Sequence, residues 1–326
     1  MIRIPSSPPH IPSLTFSGKR PLWSVMIPVY NNIEFLEEAM KSVLIQQIDK
    51  DEMQIEVIDD ASTDGDVKAL VENTGDGRIK YFRQAANVGS LRNFETCINR
   101  ATGHLVHLLH ADDRVRNGYY LSVGDLFKNY PEAGAAFCRF DYIDEAGKKL
   151  FNQPAESLKK GILNNWLFQI AINQRIQYAA LTVKREVYER LGAFYGLTYG
   201  EDWEMWVRIA RHYPVAYTPE ILADYRKHTQ SISGKKFLDG DYFSDLTIVM
   251  RMIQDHLPEK KRKRVLDKSN KFYSHYALKM ANQLWHTLHD KKIVLLNIKK
   301  GLDLHRDFLS YFKVAKIYCK ILLKWK

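Results

Sequence analysis

Residues 104–120, HLVHLLHADDRVRNGYY, constrain the fold more than any other stretch. The run from His104 to Leu109 reads as a buried strand, and it leads straight into a sharp acidic turn, Ala111-Asp112-Asp113. Two adjacent carboxylates at the end of an apolar strand need a partner, because uncompensated charge away from water is costly. The simplest partner is a divalent cation. Carboxylate oxygens suit Mg2+ or Mn2+, and those ions in turn suit phosphate groups. A metal–diphosphate site is therefore expected at this turn, with the segments around it completing a site for group transfer.

The turn has counterparts along the chain. Trp23 to Pro28 reads as a first strand, followed by Tyr30-Asn31-Asn32 and a helix from Ile33 to Gln47 with Asn32 as its cap. Gln54 to Ile58 is the next strand, broken by Asp59-Asp60-Ala61-Ser62-Thr63-Asp64-Gly65. Ile79 to Phe82 is a third, and Asn87-Val88-Gly89-Ser90 then opens a helix to Arg100. Strands alternating with helices imply βαβ units and a mainly parallel sheet. In such sheets ligands gather beyond the carboxyl ends of the strands. Tyr30, Asp59-Asp60, Asn87 and Asp112-Asp113 each follow a strand, so all are expected on one edge.

Further along, a helix is expected from Leu121 to Tyr130, strands at Ala135–Asp141 and Tyr178–Lys184, and a short helix at Arg185–Leu191. Glu201-Asp202 leads into an aromatic helix, Trp203 to His212. Val215–Pro219 and Ile221–Tyr225 read as two short strands, residues 226–240 as a mobile polar loop, and everything beyond 241 as helix.

The 326 residues hold no apolar run near the roughly 20 that a membrane-spanning helix needs. Residues 1–20, with four prolines before Gly18 and no apolar segment, read as a flexible Pro/Ser-rich arm rather than a signal peptide. Cys97, Cys138 and Cys319 are isolated, which fits a reducing cytoplasm. Charge is distributed unevenly. Residues 241–326 carry 19 Lys+Arg against 8 Asp+Glu, whereas residues 1–240 carry 29 against 30. That balance argues against nucleic-acid binding over the first 240 residues.

Six short motifs occur in order: Val25-Met26-Ile27-Pro28-Val29-Tyr30-Asn31, Val57-Ile58-Asp59-Asp60 through Gly65, Asn87-Val88-Gly89, the Ala-Asp-Asp turn, Leu191-Gly192-Ala193-Phe194 and Gly200-Glu201-Asp202-Trp203. Together they resemble a family 2 glycosyltransferase with the GT-A fold, of the bacterial polysaccharide and glycan biosynthesis type, over residues 22 to about 232. The resemblance implies an α/β architecture of three parts: the arm to residue 20, a GT-A domain over 21–235, and a basic helical region over 236–326. It implies inverting transfer from a nucleotide-sugar, a UDP-sugar by preference, assisted by Mg2+ or Mn2+. Asp202 matches the general base. Pro28, Tyr30, Asn31, Asp60, Asn87 and Arg92 fall to the nucleotide, with Asp60 reading the uracil. Asp112 falls to the ribose, and Asp113 and His228 to the metal. His110 stands where the family's acidic turn begins with a carboxylate. Glu201 and Asp202 also suit the first turn of a helix, a role compatible with that of a base.

In the last helix Lys313, Lys316, Lys320 and Lys324 share one face, and Phe308 to Lys326 contains no acid. Such a helix suits an anionic membrane surface; it also suits packing on its own domain or on a second subunit, which leaves a homo-oligomer open. With it go a lipid-linked or glycan acceptor and a place on the inner face of the cell membrane. Two rivals are a binding scaffold of the same fold and a nucleotidyltransferase. Pro28-Val29-Tyr30-Asn31-Asn32, where a phosphate loop would lie, argues against the latter.

Overall fold

The structure, a computed structural model, describes residues 2–15, 18–239 and 242–323. The elements run in the order β1 (Trp23–Val29), α1 (Ile33–Leu44), β2 (Met53–Asp59), α2 (Val67–Gly75), β3 (Lys80–Arg83), α3 (Ser90–Arg100) and β4 (Leu105–Leu108). Then come β5 (Arg114–Val115), α4 (Tyr119–Asn129), β6 (Ala135–Ile143), β7 (Lys149–Asn152), β8 (Gly161–Ile162) and α5 (Trp166–Ile170). A 3-10 turn at Tyr178–Ala180 leads into β9 (Leu181–Lys184), α6 (Arg185–Leu191), α7 (Glu201–His212) and β10 (Val215–Arg226). The remainder is helical: α8 (Ile232–Asp239), α9 (Tyr242–Gln254), α10 (Glu259–Leu288), α11 (Lys291–Leu304) and α12 (Phe308–Leu322).

The strands form one mixed sheet in the order β3-β2-β1-β4-β9-β6-β10-β5, with β7 on β6 and β8 on β10. The first four strands are parallel, as the βαβ pattern requires. All seven residues of β1 are buried, the mark of a strand covered on both faces. β9 enters antiparallel between β4 and β6. Strand order reverses at β1, which has β2 on one side and β4 on the other. The crevice beyond the carboxyl ends of these strands is where this topology places a ligand.

The chain divides into two compact units. The first comprises Met1–Trp166 and Arg175–His228 and contains the sheet; the second comprises Leu167–Gln174 and Thr229–Lys326. The excursion 167–174 is fastened inside the second unit, where Ser269 Oγ donates to the carbonyl of Ile172 at 2.7 Å and Gln174 N donates to Tyr273 Oη at 3.1 Å. Leu278, Ala281, Trp285, Val294, Ile298 and Ile317 form that unit's own core.

Several expectations change. Asn32 makes no side-chain cap; Ile33 N instead donates to Asp64 Oδ2 from the next loop, at 2.9 Å. Val215–Pro219 and Ile221–Tyr225 are one strand, because two register shifts between Thr218 and Ala223 absorb Pro219 without ending the pairing with β6. The loop expected over 226–240 contains α8. The arm is anchored between residues 5 and 11: Ile11 is fully buried, and the carbonyls of Pro5 and Pro9 accept from Gly196 N and Ala193 N. Proline removes donors but leaves carbonyls, and these are the groups that dock it. Trp203 and Trp206, on the aromatic helix, are both buried. Lys324 and Trp325 lie outside the described residues.

Candidate active site

The carboxyl ends of β1, β2 and β4 share an edge. Asp60 N donates to Val29 O at 2.9 Å and Leu109 N to Met26 O at 3.0 Å, so the chain is still in register as it leaves each strand. Beyond β4 lies the acidic turn. His110, Asp112 and Asp113 each offer a ligand atom, and these atoms all lie within 4.8 Å of one another.

The turn is only partly satisfied. Asp113 is 2% exposed; its Oδ1 accepts from Arg226 N at 2.9 Å, while its Oδ2 has no hydrogen-bond partner among the described residues. Burial, and then the charge of Asp112, push its carboxyl well above the usual carboxylate range. His110 is held between Phe94 and Tyr178, with ring centroids at 5.1 and 4.2 Å. Its Nε2 is also buried without a partner, and burial pushes its pKa down. Asp112 differs. Burial works to raise it, but the hydrogen bond from His228 Nε2, at 2.9 Å, and the nearby histidines bring it below the usual range. Leaving a buried polar atom unpaired costs about 1–3 kcal/mol. A neutral imidazole nitrogen and two carboxylates form a donor set that fits Mn2+ or Mg2+, and the two unpaired atoms sit in that set.

At the end of β10, His228, expected at the metal, stands beside the turn with its Nε2 2.9 Å from Asp112 Oδ2. Arg226 is buried; it pairs with Glu38, donates from Nε to Asp112 O at 2.8 Å, and lies over the Phe35 ring. It therefore builds the turn.

Asp202 stands in the first turn of α7, where its Oδ1 accepts from Trp203 N at 2.7 Å. Tyr178 links Glu201, the residue before Asp202, to the turn. The Tyr178 ring stacks on His110, and its hydroxyl donates to Glu201 Oε1 at 3.2 Å. Burial first, then the charges of Glu201 and Asp202, push that hydroxyl well above its usual pKa. Tyr178 was expected only as part of a strand; nothing in its local sequence marks it as the link.

At the end of β2 the carboxylates are fully used. Asp59 accepts from Ser62 N at 2.8 Å and Tyr81 Oη at 2.7 Å, and pairs with Arg83. These partners outweigh burial and hold it below the usual range. Asp60 Oδ1 accepts from Val88 N at 2.7 Å; its Oδ2 accepts from Gly89 N at 2.9 Å and Asn87 Nδ2 at 2.8 Å. Burial raises Asp60. Asp60 and Asn87 thus meet, and the carboxylate assigned to the base organises the loop before α3. Asn31, at φ 49°, accepts from Thr63 N at 2.7 Å and joins the β1 and β2 loops. Pro28 is buried in β1, and Tyr30 is 49% exposed at its end. Arg92 pairs with Glu95 and donates to Ile2 O at 3.0 Å. A cavity of about 1040 Å3 opens at the other ends of the strands, by Leu22, Trp23, His104 and Leu105.

A family model for glycosyl transferase family 2 matches residues 24–190. The chain belongs to that family. This family 2 glycosyltransferase is similar to an uncharacterized glycosyltransferase of Rickettsia felis, 28% identical over 219 residues, covering 66% of this chain and 36% of that protein. Over 101 residues it is 39% identical to the GalNAc(5)-diNAcBac-PP-undecaprenol beta-1,3-glucosyltransferase of Campylobacter jejuni, covering 30% of this chain and 32% of that one. The chain thus spans about a third of each. Among solved structures it resembles S. aureus TarS 1-349 in complex with UDP-GlcNAc, at TM-score 0.62 and 15% identity, covering 86% of this chain and 80% of that one. It also resembles the mannosyltransferase PcManGT of Pyrobaculum calidifontis in complex with GDP-Man and Mn2+, at TM-score 0.53 and 16% identity, covering 99% and 91%. The sheet of the family 2 glycosyltransferase is accordingly the GT-A fold, with C-terminal helices appended.

Proposed function

We propose that the chain transfers a sugar, with inversion, from a nucleoside-diphosphate donor, UDP-sugars foremost, to a hydroxyl of a glycan or lipid-linked acceptor. The observation that carries this reading is the pair of buried, unpartnered atoms, Asp113 Oδ2 and His110 Nε2, at the point where strand order reverses. Asp113, His110 and Asp112 would hold the divalent cation, which supplies charge neutralisation for a departing diphosphate. Asp202 accepts the proton of the acceptor hydroxyl from a fixed place on α7. Tyr30 offers an exposed ring to the base, and Asp60 with Asn87 shapes the loop beside it. TarS with UDP-GlcNAc and PcManGT with GDP-Man and Mn2+ support a nucleotide-sugar donor and a cation of this kind.

The acceptor side of the proposal rests on the second unit. No helix among the described residues is long and apolar enough to cross a membrane. α12 nonetheless exposes Phe308, Tyr311, Phe312 and Leu322. Beside it a cleft of about 590 Å3 is lined by Lys279, Lys313, Lys316, Lys320, Tyr276 and Ile317. Lysines beside exposed apolar side chains suit an anionic leaflet, with each lysine adding about 1 kcal/mol. This supports peripheral association with the inner face of the cell membrane and a lipid-linked acceptor, for which the undecaprenol-linked glycan in the Campylobacter relative's name is a precedent.

A screen of nucleotide-sugars for turnover, with the anomeric configuration of the product read by NMR, tests the reaction. Retention of configuration, or no turnover of any donor, refutes it. Asp202→Asn should lower transfer by about a thousandfold while UDP affinity stays within about twofold. Full activity in that variant removes Asp202 from its role.

A further inference from the structure

The N-terminal segment, read from its composition as a loose arm, crosses the loop that Asp60 organises. Arg3 Nη2 donates to Asn87 Oδ1. The other half of that amide, Nδ2, donates to Asp60 Oδ2 at 2.8 Å and to Asp60 O at 3.2 Å. One residue earlier, Ile2 O accepts from Arg92 Nε at 3.0 Å. Gly89 sits at φ +90°, and a Cβ there would lie 3.1 Å from Arg3 Nε, so the strap and the loop are in close contact. The strap is itself anchored. Gly196 N donates to Pro5 O at 2.8 Å, Ala193 N to Pro9 O at 3.0 Å, and Arg185 Nη1 to Pro12 O at 3.3 Å. Gly192, at φ +77°, leaves no room for a side chain, because a Cβ would lie 2.7 Å from Pro8 Cβ. With Ile11 fully buried, residues 5–12 are held against the segment that leads to α7, and Arg3 projects from a fixed base.

We infer that residues 2–12 are a structural wall of the nucleotide site and that Arg3 is a positioning residue for donor binding, acting through Asn87 on Asp60. The physical argument concerns the asymmetry of an amide. Asn87 can serve Asp60 only with its NH2 turned inward, which leaves its carbonyl oxygen outward. An arginine on that oxygen selects this orientation. The amides of Val88 and Gly89 then stay aimed at the Asp60 carboxylate, and the loop is ordered before the nucleotide arrives, which lowers the entropy lost on binding. Without Arg3 the amide and the loop sample other arrangements, and part of the donor affinity is spent in ordering them.

This inference rests on the nucleotide-sugar reading above, and its test uses the full chain. For Arg3→Ala, the Kd for UDP with Mn2+, measured by calorimetry, should rise about 3- to 10-fold, the size of one hydrogen bond lost. The donor KM should rise in step while kcat at saturating donor stays within about twofold. Arg3→Lys should recover part of the affinity, since it keeps the charge and loses the fork. Arg3 is exposed, so the melting temperature should not move. Amide exchange at Val88 and Gly89 should quicken in Arg3→Ala without any nucleotide. Unchanged or tighter UDP binding in Arg3→Ala overturns the inference, as does a fall in kcat at unchanged Kd. If the wild type itself fails to bind UDP, the nucleotide reading fails and takes the donor role of Arg3 with it. Unchanged exchange at Val88 and Gly89 overturns the positioning role by itself.

Discussion

Two acidic ends of the same sheet behave in opposite ways. Beyond β2, the oxygens of Asp59 and Asp60 accept from Ser62, Tyr81, Val88, Gly89 and Asn87, and Arg83 adds its charge. Beyond β4, Asp113 keeps one buried oxygen, and His110 one buried nitrogen, without a partner among the described residues. The contrast recurs within a single stretch of chain. His107 is buried and uses both nitrogens, on Tyr120 Oη and Ala179 O at 3.1 Å each, three residues before His110 with its unused Nε2. The difference separates structure from function. Where the protein completes its own hydrogen bonds the charge supports the fold; at the turn beyond β4, under the reading proposed above, the unfinished atoms are the ones a cation would meet.

The sharpest way to break this comparison is to remove the unfinished charge. Asp113→Asn should weaken Mn2+ binding more than a hundredfold by calorimetry and leave the melting temperature in EDTA unchanged or slightly raised, because a buried like-charge contact with Asp112 disappears. A large loss of stability in EDTA would show that Asp113 is structural after all. The mirror substitution, Asp59→Ala, should cost about 2 kcal/mol in urea unfolding, because Ser62 N and Tyr81 Oη lose a charged acceptor. Its Mn2+ affinity should hold. Stability unchanged in that variant would erase the distinction.

The smallest effect is the pH dependence of His107. Burial lowers its pKa to about 3, whereas the unfolded chain has the ordinary value near 6.5. Below 6.5 the unfolded state therefore binds a proton that the folded state refuses, and stability falls as pH falls. Between pH 7.5 and 5.5 the loss should be about 1 kcal/mol, read by denaturant titration. A His107→Gln variant should lose that slope. If the slope survives, the acid sensitivity belongs to other groups.

The strands, most of the helices and the acidic clusters were legible because each is written in consecutive residues. Apolar runs broken by Asp, Asn and Gly mark strand ends wherever they occur. What was not legible is who meets whom. Nothing near Asp113 announces that its backbone donor is Arg226, and nothing near Asp60 announces Val88 and Gly89. Position in the fold also overrode local composition. α8 forms despite a polar stretch containing Gly234, and the Pro-rich arm docks through carbonyls that composition does not reveal. Trp203 and Trp206 lie on α7, and residues 203–209 of that helix are buried all round, which an i, i+3 aromatic pair does not announce.

Arg226 joins four separated parts of the first unit. Its main-chain N–H holds Asp113, and its guanidinium holds Glu38 on α1 and the carbonyls of Asp112, Asp144 and Glu145. A lysine has one ammonium to offer where four differently directed guanidinium N–H groups are used. In a saturation library selected for folded protein, codon 226 should therefore tolerate almost no replacement, lysine included, while its neighbour Lys227, whose ammonium lies over the Tyr142 and Phe151 rings, accepts many.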